Sequence, residues 1–338
     1  MNLIFFPMRS GGLGIHFPTE SAALSYSTSR SATQVLTDAI KFKAPFTPYD
    51  HICQVHLSRR DHSNGMREAD KSTFSNILSQ LDTNHQRTIL RSKVSLSSWL
   101  SILPSTYDNF DFTCSEFRDA ICLHYSKPLL ELPPNCDGCS SEFNISHALD
   151  CKKGGLVTFR HKEVRDLLCD ISSLAWNQVV KEPVICESHG NSEALIGDIS
   201  ACGIWQSQAT AVLDVTVIDS DAPSYRHMSP KTVLKSAETA KKNKYSSTCE
   251  PIHTSFTPLC FTIDGLVGVE ANIFLKMLAE RLSLKWDKPY GQVIYWASNR
   301  LYFVVVRATG LCLRGTTSKL RSIHFQDRAG ISPHSNDY

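Results

Sequence analysis

Four potential zinc ligands lie in one short stretch of the sequence. They are Cys136, Cys139, His147 and Cys151, with two, seven and three residues between successive ligands. Two residues between the first cysteines let both thiolates point into one tetrahedron, in a tight turn that Asp137-Gly138 would supply because glycine tolerates positive φ. His147 and Cys151 would share one face of a helical turn. Four ligands with no vacant position predict a closed, structural zinc site, and the alternative is four unrelated reduced groups in a cysteine-rich chain.

Length, cysteine usage and charge limit the class of protein. The chain has 338 residues, 42% of them hydrophobic, which allows a sizeable core and predicts two domains. The chain has twelve cysteines, and the nine outside the ligand stretch are scattered, so reduced thiols in the nucleus or cytoplasm are favoured over disulfides. The start of the chain lacks a secretory pattern, and no apolar run is long enough to predict a membrane span. The net charge of +2 does not by itself indicate nucleic-acid binding.

The first part of the chain is predicted to be largely helical. Apolar residues recur at three- and four-residue intervals in 32–40 and 74–81. The polar stretch 58–70 between them is interpreted as a solvated linker. A helix with an N-cap serine and early acids is predicted over 115–125. The glycine-rich stretch 11–15 lacks the lysine and the spacing of a phosphate-binding loop, and a tight turn is expected there.

The second part of the chain mixes helical and strand patterns, which indicates an α/β (α+β) fold. The predicted elements are helices over 160–180, 231–245 and 270–284, and strands over 196–200, 211–218 and 256–263. The run 294–306 fits a helix or a strand, and its β-branched end, 301–306, favours a buried strand.

Two predicted strands each carry an acid among apolar residues. Asp198 and Asp214 would be costly in such surroundings unless they are paired or bound to a metal. On neighbouring strands they could share a divalent cation, and their hard oxygen ligands suit Mg²⁺. Glu182, which follows the preceding helix, is a further candidate ligand. The alternative is that each acid ends its strand and faces solvent.

Basic residues flank these acids on both sides in the sequence. Arg160, His161 and Lys162 are expected at a helix N-terminus, where they would be solvated or would contact a phosphate. The lysine-rich stretch 231–245 could bind backbone phosphates and present a lysine to the metal site. Within it, Glu238 and a lysine four residues later would form an ordinary surface pair.

The order of these features is specific. A Cys-Cys-His-Cys knuckle, Arg160-His161, a long helix, Glu182-Pro183, two strands with acids and a lysine-rich helix ending in Tyr245 follow one another. This order resembles the C-terminal region of the Pol protein of site-specific non-LTR retrotransposons, in which a knuckle precedes a restriction-like endonuclease of the PD-(D/E)xK fold. The motifs cover about residues 130–250, and the likeness extends more weakly to the glycine-rich stretch. Three short runs, 116–120, 147–155 and 256–259, are also similar to uncharacterised retroelement-derived proteins of animal genomes.

The resemblance implies a division of the chain into four segments. They are a helical post-polymerase (thumb- or linker-like) region at 1–130, the zinc knuckle at 131–158, a restriction-like endonuclease domain at 159–316 and a polar tail at 317–338. The endonuclease domain would contain a small central mixed sheet flanked by helices.

The resemblance also assigns roles residue by residue. Gly197 stands where the family often has proline before the first acid, and Thr216 stands where the fold usually has its lysine, so a lysine of the following helix would take over. The implied zinc ligands are Cys136, Cys139, His147 and Cys151. The implied catalytic residues are Asp198 and Asp214 as Mg²⁺ ligands, Glu182 as a further acid, and Lys241 or Lys242. The implied nucleic-acid contacts are Arg160, His161, Lys162, Lys235, Lys244 and Tyr245.

The expected function is therefore hydrolysis of DNA phosphodiester bonds with a divalent metal, to nick a target site. The expected partners are DNA and, as a second candidate, the element's RNA, with no membrane and no small-molecule cofactor. One alternative is a nucleic-acid-binding knuckle module whose nuclease fold is inactive, and another is a non-functional retroelement remnant. No polymerase Asp-Asp motif occurs in the sequence, so no reverse transcriptase active site is expected in this chain.

Overall fold

The structure is a computed structural model that describes residues 11–15, 18–92, 97–187 and 194–315. It divides into two compact units, Met1–Gln86 and Arg87–Tyr338. The predicted polar tail at 317–338 lies outside the described residues. The helices that precede the sheet are α1 (Pro18–Ala32), α2 (Gln34–Phe42), α3 (Pro48–Ser79), α4 (Thr83–Ser92), α5 (Cys114–His124), α6 (Ile145–Asp150) and α7 (Leu156–Ala175).

In the first unit, α1 and α2 pack along the long helix α3. Thr47 caps α3, since its side chain accepts a hydrogen bond from the Asp50 N–H, and Pro48 occupies the first helical turn. The predicted solvated linker at 58–70 is wrong, because these residues form the middle of α3. Ser58 is buried and bonds to Ser31 of α1 at 3.1 Å. Packing on α1 thus holds a polar segment helical although its sequence lacks an apolar stripe.

The second unit is built on a four-stranded mixed sheet. Its order is β1-β4-β5-β6, in which β1, β4 and β5 are antiparallel and β6 runs parallel to β5. A parallel neighbour needs a crossover, which α8 provides. Strands β2 and β3 form a separate two-stranded ribbon. The bounds are β1 (Asn177–Lys181), β2 (Val184–Cys186), β3 (Leu195–Ile196), β4 (Ile199–Cys202), β5 (Thr210–Ile218), α8 (Pro230–Cys249), β6 (Ser255–Thr262), α9 (Val269–Trp286) and α10 (Tyr290–Arg314).

Helices cover both faces of the central strands β5 and β6, so both strands carry buried residues on either side. On one face, Leu213 and Val215 of β5 belong to the main core together with buried residues of α7, α9 and α10. On the other face, Leu234 of α8 packs against Cys260 of β6. The mixed helix and sheet architecture agrees with the predicted α/β class.

Several predicted elements differ from the structure in kind or extent. The predicted buried strand at 301–306 is wrong, because these residues lie in α10, whose Leu301 and Val305 are in the main core. A helix buried on several sides reads as a continuous apolar run, and periodicity alone does not separate it from a strand. The helix predicted over 160–180 starts earlier, at Leu156, and ends at Ala175. The strand predicted over 196–200 is interrupted between β3 and β4.

No helix among the described residues is both long enough and apolar enough to cross a membrane.

Candidate functional site

The four predicted zinc ligands converge in the second unit. Their ligand atoms all lie within 4.8 Å of one another. The sulfur of Cys151 lies 3.8 Å from those of Cys136 and Cys139, and Cys139 Sγ lies 3.2 Å from His147 Nε2. A zinc tetrahedron with bonds of about 2.3 Å to sulfur has an edge of about 3.8 Å. The donor set and its spacing therefore fit a four-coordinate zinc ion, and the cysteines are not joined as disulfides.

Local hydrogen bonds place the first two ligands of the knuckle. The Cys136 N–H donates to the Ser141 carbonyl and the Ser140 N–H donates to the Cys136 carbonyl, each at 2.8 Å. The predicted role of Gly138 is wrong in detail, because the left-handed residue of this turn is Ser140, with φ of 61°. Gly138 instead relieves close packing, since a Cβ there would lie 3.1 Å from the Lys153 carbonyl oxygen.

A short helix places the other two ligands. The Asn144 side chain caps α6 by accepting a hydrogen bond from the His147 N–H at 2.9 Å. The Cys151 N–H donates to the His147 carbonyl at 2.8 Å, so both ligands share one helical turn as predicted. The opposite side of α6 is buried, with Ala148 against Leu313 of α10 and Leu149 in a cluster with the start of α7. The knuckle is thereby fixed to the unit that carries the sheet.

Hydrogen bonds also favour the thiolate form of one ligand. The Ser141 side chain and backbone N–H lower the pKa of Cys139 to about 6. The thiolate is the form of cysteine that binds metal.

The first predicted catalytic acid, Asp198, lies just before β4 and is held at both carboxylate oxygens. Oδ1 lies 2.9 Å from His161 Nε2 of α7, and Oδ2 accepts a hydrogen bond of 2.6 Å from the Val215 N–H of β5. The Val215 bond places the carboxylate beside the strand that carries the second acid. It also fixes an orientation in which Asp198 can hold the imidazole.

The second predicted acid, Asp214, is buried in the middle of β5 and pairs with Lys241 of α8. Its Oδ2 lies 2.7 Å from Lys241 Nζ, an ion pair that is not aligned as a hydrogen bond. Strand alternation turns Asp214 away from the core that holds Leu213 and Val215, toward α8. Of the two predicted lysines of the following helix, Lys241 is the one that lies beside Asp214.

Tyr245 lies one turn beyond Lys241 on α8 and closes this side of the site. Its ring stacks on Phe256 of β6 with centroids 4.5 Å apart, and its hydroxyl donates to the Ile196 carbonyl at 3.3 Å. Burial raises the pKa of Tyr245, and the charges of Asp214 and Asp198 raise it further, so the phenol stays protonated. The Lys241 Nζ lies 5.9 Å from the ring centroid.

The other two predicted catalytic residues have partners elsewhere. Glu182 pairs with the buried Arg165 of α7, and its backbone N–H donates to the Asp198 carbonyl at 2.8 Å. Lys242 pairs with Glu270 at the start of α9. Glu182 is therefore joined to the site through the backbone, whereas Lys242 points toward another helix.

The residues predicted to contact nucleic acid fall into exposed and buried groups. Lys162, Lys235 and Lys244 are exposed, and Lys244 lies 5.0 Å from the Tyr245 ring centroid. Arg160 is only 3% exposed, because α7 begins at Leu156 and not near Arg160 as expected. Its Nε and Nη1 atoms are buried without a hydrogen-bond partner in the described part of the chain. Because its side chain is buried, Arg160 is not accessible to a DNA phosphate.

Sequence reasoning missed one charged residue beside the site. Glu238 of α8 is 6% exposed and accepts a hydrogen bond of 3.1 Å from the Glu270 N–H, so the predicted surface pair with Lys242 is wrong. The sequence does indicate that Glu238 faces the sheet, because Leu234, Glu238 and Lys241 are spaced to lie on one face of a helix.

Among the residues that the structure describes, the knuckle is the sole cluster of three or more His, Cys, Asp or Glu side chains arranged to hold a metal. The three predicted acids do not form such a cluster.

Neither models of known protein families nor curated proteins match this chain.

Proposed function

We propose that this protein is a retrotransposon-derived DNA endonuclease that hydrolyses phosphodiester bonds with a divalent metal, and that a zinc knuckle is part of its DNA-binding surface. The observation that carries the proposal is the placement of two acids and a lysine around β5. Asp198, just before β4, accepts from the Val215 N–H next to Asp214, and Lys241 of α8 lies 2.7 Å from Asp214. An acid pair and a lysine are the residue types that a metal-dependent phosphodiester hydrolysis needs. The resemblance to the endonuclease region of non-LTR Pol proteins leads to the same reaction.

The chain's own residues would have distinct roles in this reaction. Asp198 and Asp214 would hold Mg²⁺, which when bound polarises the phosphodiester and lowers the pKa of the attacking water. Lys241 would orient that water or stabilise the negative charge that develops on the phosphoryl oxygens. His161 would keep the Asp198 carboxylate in position through the 2.9 Å contact. Tyr245 would exclude water from one side of Asp214.

The surface outside this group supports contact with a phosphate backbone. The exposed lysines of α8, Lys231, Lys235 and Lys244, lie on the helix that carries Lys241. Lys152 and Lys153 follow the last knuckle ligand directly, and both are exposed. Binding through such lysines would be independent of sequence and would weaken as salt is raised.

The test is nicking of supercoiled plasmid in Mg²⁺, with EDTA as the metal-free control. We expect the wild type to nick and Asp214→Asn to lose at least about 10²-fold in rate, the size of effect seen when one group that stabilises the transition state is removed. Glu280→Ala is the matched control, because Glu280 is an exposed acid of α9 away from the site. Equal nicking by Asp214→Asn and wild type would show that the site assignment is wrong.

A second candidate function is a nucleic-acid-binding module with an inactive nuclease fold. Each of the three acids already has a basic side chain as partner, which favours this alternative: His161 for Asp198, Lys241 for Asp214 and Arg165 for Glu182. A wild type that binds DNA in a salt-dependent manner and does not nick it in Mg²⁺ or Mn²⁺ would support the binding module and overturn the endonuclease.

A further inference from the structure

Glu238 is a buried carboxylate on the face of α8 that packs against the sheet. It is 6% exposed, and it lies one turn before Lys241. Burial raises the pKa of Glu238, and the Glu270 N–H opposes this effect by donating to the carboxylate. A buried acid without a cation at its own oxygens is costly, so its position calls for a specific role.

The carboxylate caps the N-terminus of the next helix. Helix α9 begins after Gly268, which has no side chain to accept from the first free N–H groups. Glu238 Oε1 supplies that acceptor from the neighbouring helix, 3.1 Å from the Glu270 N–H. A negative charge at this end of a helix is also favoured by the helix dipole.

Position 268 must be occupied by a glycine for this cap to form. A Cβ on Gly268 would lie 2.2 Å from Glu238 Oε1 and 3.0 Å from the Cys260 carbonyl oxygen. Only glycine leaves room for the carboxylate to reach the backbone of α9. A second tie between the two helices, the ion pair of Lys242 with Glu270, lies beside it.

The cap bears on the candidate site because α8 also carries Lys241. Residues 238, 241 and 245 are spaced to lie on one face of the helix. Rotation or sliding of α8 by a fraction of a turn would withdraw the Lys241 ammonium from Asp214, to which it is now 2.7 Å. The cap resists such a movement, because it fixes α8 to a helix that is itself buried in the main core through Phe274 and Leu278.

We propose that Glu238 is a positioning residue: by capping α9 it holds α8 in the register that places Lys241 against Asp214. Its importance for catalysis rests on the proposed endonuclease function, whereas its effect on Lys241 does not. Lys241 is therefore the reporter for the test.

The experiment measures acetylation of Lys241 in the full chain, without DNA, by an amine-reactive ester and mass spectrometry. Lys235, exposed on the same helix, is the internal reference. Glu238→Ala should raise the Lys241 rate about fivefold, the factor for one lost hydrogen bond of about 1 kcal/mol. Glu238→Gln keeps an oxygen acceptor and should retain most of the protection. Gly268→Ala displaces the carboxylate without removing it, and should resemble Glu238→Ala.

Plasmid nicking of the same variants gives the catalytic readout. We expect Glu238→Ala and Gly268→Ala to lower kcat by up to about fivefold with little change in KM, and Glu238→Gln and the control Glu280→Ala to stay near wild type. Unchanged Lys241 acetylation in both cap variants would overturn the proposal. If Glu238→Ala does not fold, the contrast between Glu238→Gln and Gly268→Ala decides. If the wild type does not nick, the proposed endonuclease function is wrong. The acetylation rates still test whether Glu238 positions Lys241.

Discussion

Removal of metal from the knuckle should lower the stability of the whole second unit. The ligand set closes a loop from Cys136 to Cys151, a separation of 15 residues. Cross-linking a loop of that length removes chain entropy from the unfolded state worth about 3 kcal/mol. The loss of stability should extend from the knuckle to the rest of the second unit, because α6 packs on α10 through Ala148 and Leu313. For a unit of this size about 3 kcal/mol corresponds to a fall in Tm of roughly 6–12 °C.

The assay is thermal unfolding by circular dichroism with and without a zinc chelator, together with zinc analysis of the purified, reduced protein. We expect about one zinc per chain, and a similar loss of Tm from His147→Ala and from chelation, without additivity between them. Cys114→Ser is the control, because Cys114 is an exposed cysteine outside the cluster. Protein that contains no zinc, or whose Tm does not respond to chelator or to His147→Ala, would refute the zinc knuckle.

Three further predictions concern stability and thiol reactivity. Gly197→Ala should lower Tm by overpacking worth about 1–3 kcal/mol, because its Cβ would lie 2.5 Å from a side chain of β5, whereas Gly291→Ala, with open space around the Cβ, should not lower it. Burial raises the pKa of Glu238 above its ordinary value of 4.5, so the native state loses stability as pH rises from about 4.5 through the folded pKa. Thermal unfolding at pH 5 and pH 8 should therefore show Glu238→Gln gaining in Tm relative to the wild type as pH rises. Burial raises the pKa of Cys260 to about 12, so iodoacetamide at pH 8 should label the exposed Cys186 and spare Cys260 in native protein, and equal labelling would contradict the buried position.

Local patterns predicted the elements whose stabilising contacts are also local. The spacing of the knuckle ligands anticipated their convergence, because a tight turn and one helical turn fix most of the geometry. The helix predicted over 231–245 lies within α8, where Ser229 supplies the N-cap and Pro230 the first turn. The strand predicted over 211–218 matches β5 to within a residue. Each of these signals lies within about one element of the chain.

The predictions that failed depended on packing between distant segments. The polar stretch 58–70 carries no apolar stripe, and its helical state follows from packing along α1, where a Cβ added to Gly65 would lie 3.4 Å from the Leu24 side chain. The β-branched run 301–306 is helical because α10 lies in the core between neighbours that cover several of its sides. In α10, tertiary burial outweighs local propensity, which differs by only a few tenths of a kcal/mol per residue.

For the charged residues of the sheet region, burial predicts that each needs a partner but does not predict which partner it has. An acid placed among apolar residues must find a partner, because desolvation without one costs several kcal/mol. Asp198 and Asp214 do have partners, His161 and Lys241, but these lie on helices on either side of the strands in sequence. Glu238 is also buried, and its partner is the backbone of α9 and not a surface lysine. Spacing thus tells which charges need a partner, and the topology, with α8 crossing between two parallel strands, determines which partner each one meets.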